Sequence, residues 1–192
     1  MPQRLMSLNK SIFTQSSIET KRCIFEEISL SRLEDIHDYS TNQVFYNHLE
    51  FPAFKTKSET KQYLEKMLLR HSKDTAFYWS IILKDTSKAI GTFGVHDIDW
   101  RKLHCEISYG LSPNYWGNNI FSEILHGFLT FIFSNNFYRV CALTSSKNIA
   151  SIKSLQKIGF LIEGTFKDYY LSYKNSRYDA CYLALLKSGF KQ

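Results

Sequence analysis

The chain has 192 residues, of which 44% are hydrophobic, 16% aromatic and 22% charged. This composition fits a folded protein with its own core and excludes a disordered tail or a collagen-like repeat. No repeat and no linker rich in Pro or Gly divides the chain. We therefore expect a partly ordered N-terminal extension over residues 1–17, followed by one domain over residues 18–188.

The sequence suggests neither a membrane-spanning nor a secreted protein. No apolar run approaches the roughly 18 residues that a membrane-spanning helix needs. The basic residue near the start, Arg4, is not followed by the apolar segment of a signal peptide. We expect a soluble, cytoplasmic protein with no membrane partner.

The net charge of +6 is unevenly placed, with eight Lys or Arg against three Asp or Glu in residues 145–192. These basic residues are spaced singly and form no dense block, so no direct nucleic-acid partner is expected. A phosphorylated small molecule fits the same charge distribution.

The cysteines also stand singly, without the paired spacing of a metal site or a disulfide framework. Each lies in an apolar run typical of a strand, so we expect buried thiols, no disulfide and no metal. They are Cys23, Cys105, Cys141 and Cys181.

The first predicted elements are a strand and two helices. Lys21–Ile28 has the composition of a strand, and a short helix is predicted from Ser31, as its N-cap, to about Tyr39. A second helix over Ser58–His71 begins at a possible capping box in which Thr56 is followed three residues later by Glu59.

The middle of the chain predicts three strands and the strongest helix. The strands are Phe77–Leu83, Ala89–His96 and Cys105–Leu111, and in the last of these apolar and polar residues alternate. The helix begins near Gly117 or Phe121 and ends at Phe133. Its apolar residues recur with the spacing of a buried stripe.

A strand at Val140–Thr144, a helix at Ala150–Ile158 and two closing strands at Phe160–Leu171 and Tyr178–Leu186 complete the prediction. Strands separated by helices and ending in an antiparallel pair indicate an α/β fold, in which a mixed sheet is covered by helices.

The segment Ser112–Glu123 connects an amphipathic strand to the strongest helix and could bind an anion. Main-chain N–H groups in the first turn of a helix have no internal partner and carry partial positive charge, so a pyrophosphate can dock there. Gly117 adopts positive φ freely, and Asn119 does so more readily than other side chains. By spacing alone this signal is weak.

Several ordered motifs are carried by residues 106–111, 115–119, 148–152, 155–160 and 163–165. In one-letter code they read EISYGL, YWGNN, NIASI, LQKIGF and EGT. With these motifs the chain resembles the GCN5-related N-acetyltransferases, the GNAT family, and within it most closely the RimJ/RimL branch. The similarity extends to the opening strand and covers nearly all of residues 18–186.

The resemblance implies a mostly antiparallel mixed sheet of about seven strands with splayed middle strands, flanked by about four helices. It also implies an acetyl-CoA site between the strands that end near Leu111 and Thr144. The loop and the following helix would hold the pyrophosphate through Trp116, Gly117, Asn118, Asn119, Ile120 and Phe121, with Leu111, Asn148 and Ser151 nearby. Asn114 and Asn119 depart from the residues usual at their positions.

The implied chemistry is direct attack of an amine on the thioester in a ternary complex, without a metal and without an acyl-enzyme. Many members of the family place a Tyr acid at the position of Leu155, where this chain has none. Ser151 is the alternative candidate for contact with the departing thiolate. It could equally be part of the first helical turn, and Asn148 could be a helix cap, a cofactor contact or both.

Glu106 is the best candidate for the base, although a carboxylate on a strand face is often merely solvated. Tyr170, or Asp168 through a water, is the alternative, and so is the absence of any dedicated base. His96 and His104 flank one loop and could be bases, pocket residues or bystanders.

The acceptor implied by the resemblance is a primary amine, above all a protein N-terminal α-amine. A small amine such as a polyamine, an amino acid or an aminoglycoside is the alternative, and a non-catalytic acyl-CoA sensor is a further one. Either a monomer or a homodimer is compatible with the sequence.

Overall fold

A single mixed sheet of eight strands organises the chain in a computed structural model that describes residues 11–14 and 17–191. The order across the sheet is β1-β2-β3-β4-β5-β6-β8-β7. The strands are β1 (Ile18–Glu19), β2 (Cys23–Glu27), β3 (Ala76–Leu83), β4 (Lys88–Asp99), β5 (His104–Leu111), β6 (Arg139–Ser145), β7 (Leu161–Leu171) and β8 (Arg177–Leu186). Neighbours are antiparallel except β5 and β6, which are parallel. The predicted fold class is confirmed.

The additional strand comes from a turn that the sequence prediction missed. Residues 20–23 form a tight turn in which the main-chain N–H of Thr20 donates to the carbonyl of Cys23, at 2.8 Å, and the Thr20 hydroxyl accepts from the Cys23 N–H. The chain therefore reverses direction, and β1 pairs antiparallel with β2. The predicted strand Lys21–Ile28 is confirmed as β2, but it begins later, at Cys23, because this turn precedes it.

Four helices connect the strands, as predicted. They are α1 (Leu33–Ser40), α2 (Lys57–Ser72), α3 (Ile120–Ser134) and α4 (Ile149–Ile158). The capping box at α2 is confirmed, with Thr56 and Glu59 bonded reciprocally. The predicted Ser cap of α1 is wrong, because a 3₁₀ turn over Leu30–Arg32 precedes the helix and its N-cap, Arg32, makes no side-chain cap bond.

The helices cover both faces of the sheet. Leu125, Phe128 and Ile132 of α3 and Leu155 of α4 are fully buried in the larger core on one face. On the other face, α1 and α2 bury a smaller cluster against β3 and β4, built around Ile36 and Leu64. The apolar stripe read from the sequence of α3 thus faces the sheet, as its spacing predicts.

Residues 11–14 are helical, and Phe13 belongs to the main core. Its ring is 2% exposed and stacks on Phe77 with ring centroids 4.7 Å apart. The extension expected over residues 1–17 therefore contributes to packing at this point. Its residues 1–10 and 15–16 lie outside the described part of the chain.

All four cysteines are free and buried, as expected. Burial raises the pKa of the Cys23 thiol to about 11, which keeps it protonated at neutral pH. Over residues 11–14 and 17–191, no helix is long and apolar enough to cross a membrane.

Candidate active site

A cleft opens where β5 and β6 stop pairing. Their parallel register ends at Ile107 opposite Ala142, yet β5 continues to Leu111 and β6 to Ser145. The diverging end of β5 lines a cavity of about 310 Å³ together with the loop before α3, the start of α4 and residues 44–49. An extended ligand can lie in such a gap and bond to main-chain groups that no neighbouring strand occupies. This divergence confirms the expected splay.

The loop at one end of the cleft has the backbone conformation that anion binding requires. Gly117 has φ +77°, and a Cβ added there would meet nothing within 4 Å. Asn119 is the N-cap of α3 in the left-handed region, with φ 57° and no side-chain cap bond. The first-turn N–H groups of α3 are therefore left without a capping side chain, and a phosphate can accept from them. These residues fit the pyrophosphate of a coenzyme A thioester.

Two long-range contacts fix this loop. Lys157 of α4 donates its Nζ to the Asn119 Oδ1, at 3.3 Å. Arg22 donates to the Asn118 carbonyl at 3.1 Å and forms an ion pair with Glu123 at 2.6 Å. The pKa of Glu123 is lowered, because hydrogen bonds and the Arg22 charge outweigh burial. Cationic groups thus lie at the helix N-terminus, although the loop itself contains no basic residue.

The opposite wall of the cleft joins β5 to α4. The hydroxyls of Tyr109 and Ser151 are 2.8 Å apart. Asn148 is the N-cap of α4, and its Oδ1 accepts from the Ser151 N–H at 3.2 Å. Asn148 is therefore a helix cap that also lines the cavity, and its contact with the cofactor stays a prediction.

Residues 44–49 close the cleft from the side of α1, and sequence analysis gave no sign of this role. Phe45 packs so closely on Gly110 that an added Cβ would come within 2.6 Å of its ring. His48 lines the cavity, and burial lowers its pKa. The segment begins in a short 3₁₀ turn, Gln43–Tyr46, and has no hydrophobic periodicity, so no sequence pattern indicated its position.

Glu106 lies at the vertex of the splay, next to the last paired residues of β5 and β6. Its side chain is partly buried. A carboxylate oxygen of Glu106, a ring nitrogen of His96 and a carboxylate oxygen of Asp97 all lie within 4.8 Å of one another. His96 Nδ1 is 2.7 Å from the Asp97 carboxylate. Burial raises the pKa of Glu106, the His96 charge opposes that shift and Asp97 reinforces it. A carboxylate in this state accepts protons more readily near neutral pH.

Tyr170 approaches the same region from β7. Burial raises its pKa, and the charges of Glu106 and Glu50 add to the increase. Glu50 also accepts a hydrogen bond from the Leu171 N–H at 3.0 Å, which ties the loop after α1 to β7. Asp168, the alternative base, is exposed at a bulge in β7 with φ 49°.

Most of the predicted cofactor-binding residues line the cavity, namely Leu111, Trp116, Gly117, Phe121, Asn148 and Ser151. Trp116 also donates its indole N–H to the Leu111 carbonyl, at 2.7 Å. Asn118 and Asn119 do not line the cavity and lie in the loop beside it, while Ile120 is buried in the core. Asn114 instead lines a separate polar cavity of about 140 Å³.

Comparison with known proteins identifies the architecture. Residues 22–161 match the family model described as an acetyltransferase (GNAT) domain. An uncharacterised N-acetyltransferase, p20 of Bacillus licheniformis, is 27% identical over 175 residues, which cover 91% of this chain and 98% of the relative.

Solved structures of low sequence identity share the fold. The ribosomal L7/L12 α-N-protein acetyltransferase RimL, in complex with coenzyme A, has a TM-score of 0.78 at 18% identity, covering 89% of this chain and 98% of RimL. The ribosomal-protein-S5-alanine acetyltransferase of Vibrio fischeri has a TM-score of 0.73 at 23% identity, covering 93% of this chain and all of that protein.

Proposed function

The chain belongs to the GNAT family of acetyl-CoA-dependent N-acetyltransferases, and from that premise we propose that its acceptor is a protein N-terminal α-amine. The amine attacks the thioester directly in a ternary complex. The observation that carries the direct attack by an amine is the position of Glu106 at the vertex of the splayed strands. Glu106 does not itself line the cavity, but it lies three residues before Tyr109, which does.

Glu106 is the general base in this proposal. An α-ammonium or an alkylammonium must lose a proton before its nitrogen can attack a carbonyl carbon. The raised pKa of Glu106 brings its proton affinity closer to that of the amine. Tyr170, whose pKa is raised by burial and in part by the Glu106 charge, supplies a hydroxyl that can orient the acceptor.

The charges around Glu106 suit a cationic acceptor. Asp97 lies within 4.8 Å of the base, and Glu50 lies near Tyr170 on the neighbouring loop. Carboxylates attract an ammonium group before it is deprotonated. This feature serves an N-terminal α-ammonium and a small polyamine equally, so the small-amine alternative is retained.

Acetyl-CoA is the co-substrate, and the residues assigned to it fall into two groups. Gly117, Asn118, Asn119, Ile120 and Phe121 offer main-chain N–H groups at the N-terminus of α3. Leu111, Trp116, Asn148 and Ser151 flank the gap in the sheet. The uncapped first turn of α3 supports the first assignment, and the lining of the cleft supports the second.

The preference for a protein acceptor is supported by two of the fold neighbours, whose names describe acetylation of ribosomal proteins. The decisive experiment is thermal-shift titration with acetyl-CoA, followed by a free-thiol assay over peptides with ribosomal-protein N-termini and a matched panel of small amines. Turnover on peptides alone supports the proposal, and turnover on small amines alone refutes the acceptor class. Binding of acetyl-CoA without any turnover would identify an acyl-CoA sensor.

A further inference from the structure

Tyr109 reaches from β5 across the cleft to Ser151 on α4. The two hydroxyl oxygens are 2.8 Å apart, and both residues line the cavity beside the splayed end of β5. Two hydroxyls that share one hydrogen bond use one of their two protons, whichever residue is the donor. The pair therefore has one proton left for a ligand in the cleft.

The Tyr109 ring is held in place by its neighbours. Its centroid lies 4.4 Å from that of Phe121 and 6.2 Å from that of Phe93. Burial raises the pKa of Tyr109 to about 12, although the bond to Ser151 acts in the opposite direction. A tyrosine in this state keeps its proton throughout the neutral range, so it is a hydrogen-bond donor and not a base.

Ser151 is equally constrained. Its N–H donates to the Asn148 side chain, which fixes the first turn of α4 against the cleft. Further along the same helix, Leu155 is fully buried among apolar residues and has no proton to donate. The hydroxyl pair is thus the donor that β5 and α4 present jointly to the gap between the strands.

We propose that Tyr109 is a catalytic residue that acts with Ser151 to donate the hydrogen bond that stabilises and protonates the departing thiolate. This inference rests on the proposed acetyl transfer. As the C–N bond forms, the C–S bond breaks and its electron pair stays on sulfur. The acceptor ammonium loses two protons in all. One leaves to solvent through Glu106, and the other replaces the proton that the hydroxyl pair gives to sulfur.

Tyr109→Phe removes the hydroxyl and keeps the ring between Phe93 and Phe121, so the variant should fold. We expect kcat to fall about tenfold or more, with acetyl-CoA affinity changed less than threefold. Ser151→Ala removes the same bond from the other side. The double variant should be no worse than the more damaged single variant, because the two hydroxyls act as one unit. Tyr182→Phe is the control, since Tyr182 lies on β8 and does not line the cavity.

Two further measurements separate a chemical role from a structural one. The ionisation of the coenzyme A thiol bound to the protein, followed by thiolate absorbance, should move to higher pH by about one unit in Tyr109→Phe, which corresponds to tenfold weaker stabilisation of the thiolate. The kinetic defect should also shrink with an acetyl thioester whose leaving group is an aromatic thiol of low pKa.

Unchanged thiol ionisation together with kcat within twofold of the parent protein would overturn the role of Tyr109. Normal ionisation of the bound thiol together with weaker binding of acetyl-CoA would also overturn it, because that result would mean that the Tyr109 hydroxyl only supports the packing of the cleft. Should the parent protein acetylate no amine while Tyr109→Phe still shifts the thiol ionisation, the hydroxyl pair would stand and the proposed function would fall.

Discussion

His96 lies directly opposite Glu106 in the antiparallel pairing of β4 and β5. Its Nδ1 is 2.7 Å from the Asp97 carboxylate, so the proposed base shares its surroundings with one imidazole and one further acid. Tyr78, with Arg70 next to it, interacts with the Asp97 charge, and Tyr170 interacts with that of Glu106. The proton affinity of Glu106 is therefore set jointly by burial and by two neighbours of opposite effect.

Glu106→Gln should lower kcat by about 10²–10⁴, the range typical for loss of a general base. Part of the loss should return at high pH, where more of the acceptor amine is already neutral. Acetyl-CoA affinity, measured by calorimetry, should stay within a factor of about two. Glu65→Gln, on the exposed face of α2, is the control. A normal pH–rate profile with near-normal turnover would reject Glu106 as the base.

The same substitution should change the pH dependence of stability. The folded-state pKa of Glu106 is raised by burial, so its contribution to stability is fully present below the unfolded-state pKa and is lost as pH rises through the folded-state pKa. Glutamine does not ionise and avoids that loss. The melting temperature of Glu106→Gln should match that of the parent protein near pH 4 and exceed it at about pH 8. A lower melting temperature at both values would make Glu106 a structural partner instead.

Variants of the two neighbours should shift the acidic limb of the kcat/KM profile in opposite directions. The Asp97 charge raises the pKa of Glu106, so Asp97→Asn should move this limb to lower pH. The His96 charge lowers that pKa, so His96→Gln should move it to higher pH. His104→Gln, two residues before Glu106 on the same strand, is the matched control and should leave the limb in place. Shifts in the same direction for Asp97→Asn and His96→Gln would contradict this electrostatic account.

The elements of this fold could be predicted where local patterns determine them. The spacing of Phe121, Ile124, Leu125 and Phe128 located α3, and the capping box located the start of α2. The left-handed backbone at Gly117 and Asn119 also followed from residue type. These features depend on interactions within a few residues, which a sequence displays directly.

The contacts that complete the site depend on sheet register and could not be read from the sequence. Tyr109 and Ser151 are 42 residues apart, and Asn119 and Lys157 are 38 apart. Alternation assigned Tyr109 to the apolar face of β5, but its partner depends on how α4 packs after β6. The residues 44–49 reach the cleft only because the segment after α1 crosses toward β5, and no periodic pattern marks that path.

Lys157 should contribute to acetyl-CoA affinity through its charge. Its Nζ reaches the side chain of Asn119 at the N-terminus of α3, where the pyrophosphate is expected. Lys157→Met should weaken binding about three- to tenfold at low ionic strength, and the difference should shrink in high salt, because exposed charges are screened. Lys153→Met, an exposed lysine on the same helix, is the control. Calorimetry at two salt concentrations tests this, and equal effects of the two substitutions would remove any special role of Lys157.

Gly117→Val should weaken acetyl-CoA binding at least about tenfold, or about 1.4 kcal/mol. The position has φ +77°, which a β-branched residue adopts only with strain. An added Cβ meets no protein atom within 4 Å, so the substitution disturbs the loop and the cleft without a clash in the core. Gly164→Val in β7 is the matched control, because its added Cβ also meets open space and no positive φ is required there. Calorimetric titration with acetyl-CoA compares the two variants. Similar affinities for the two would exclude the loop from the acetyl-CoA site. A loss confined to Gly117→Val would support the assignment of the uncapped N-terminus of α3 to the pyrophosphate.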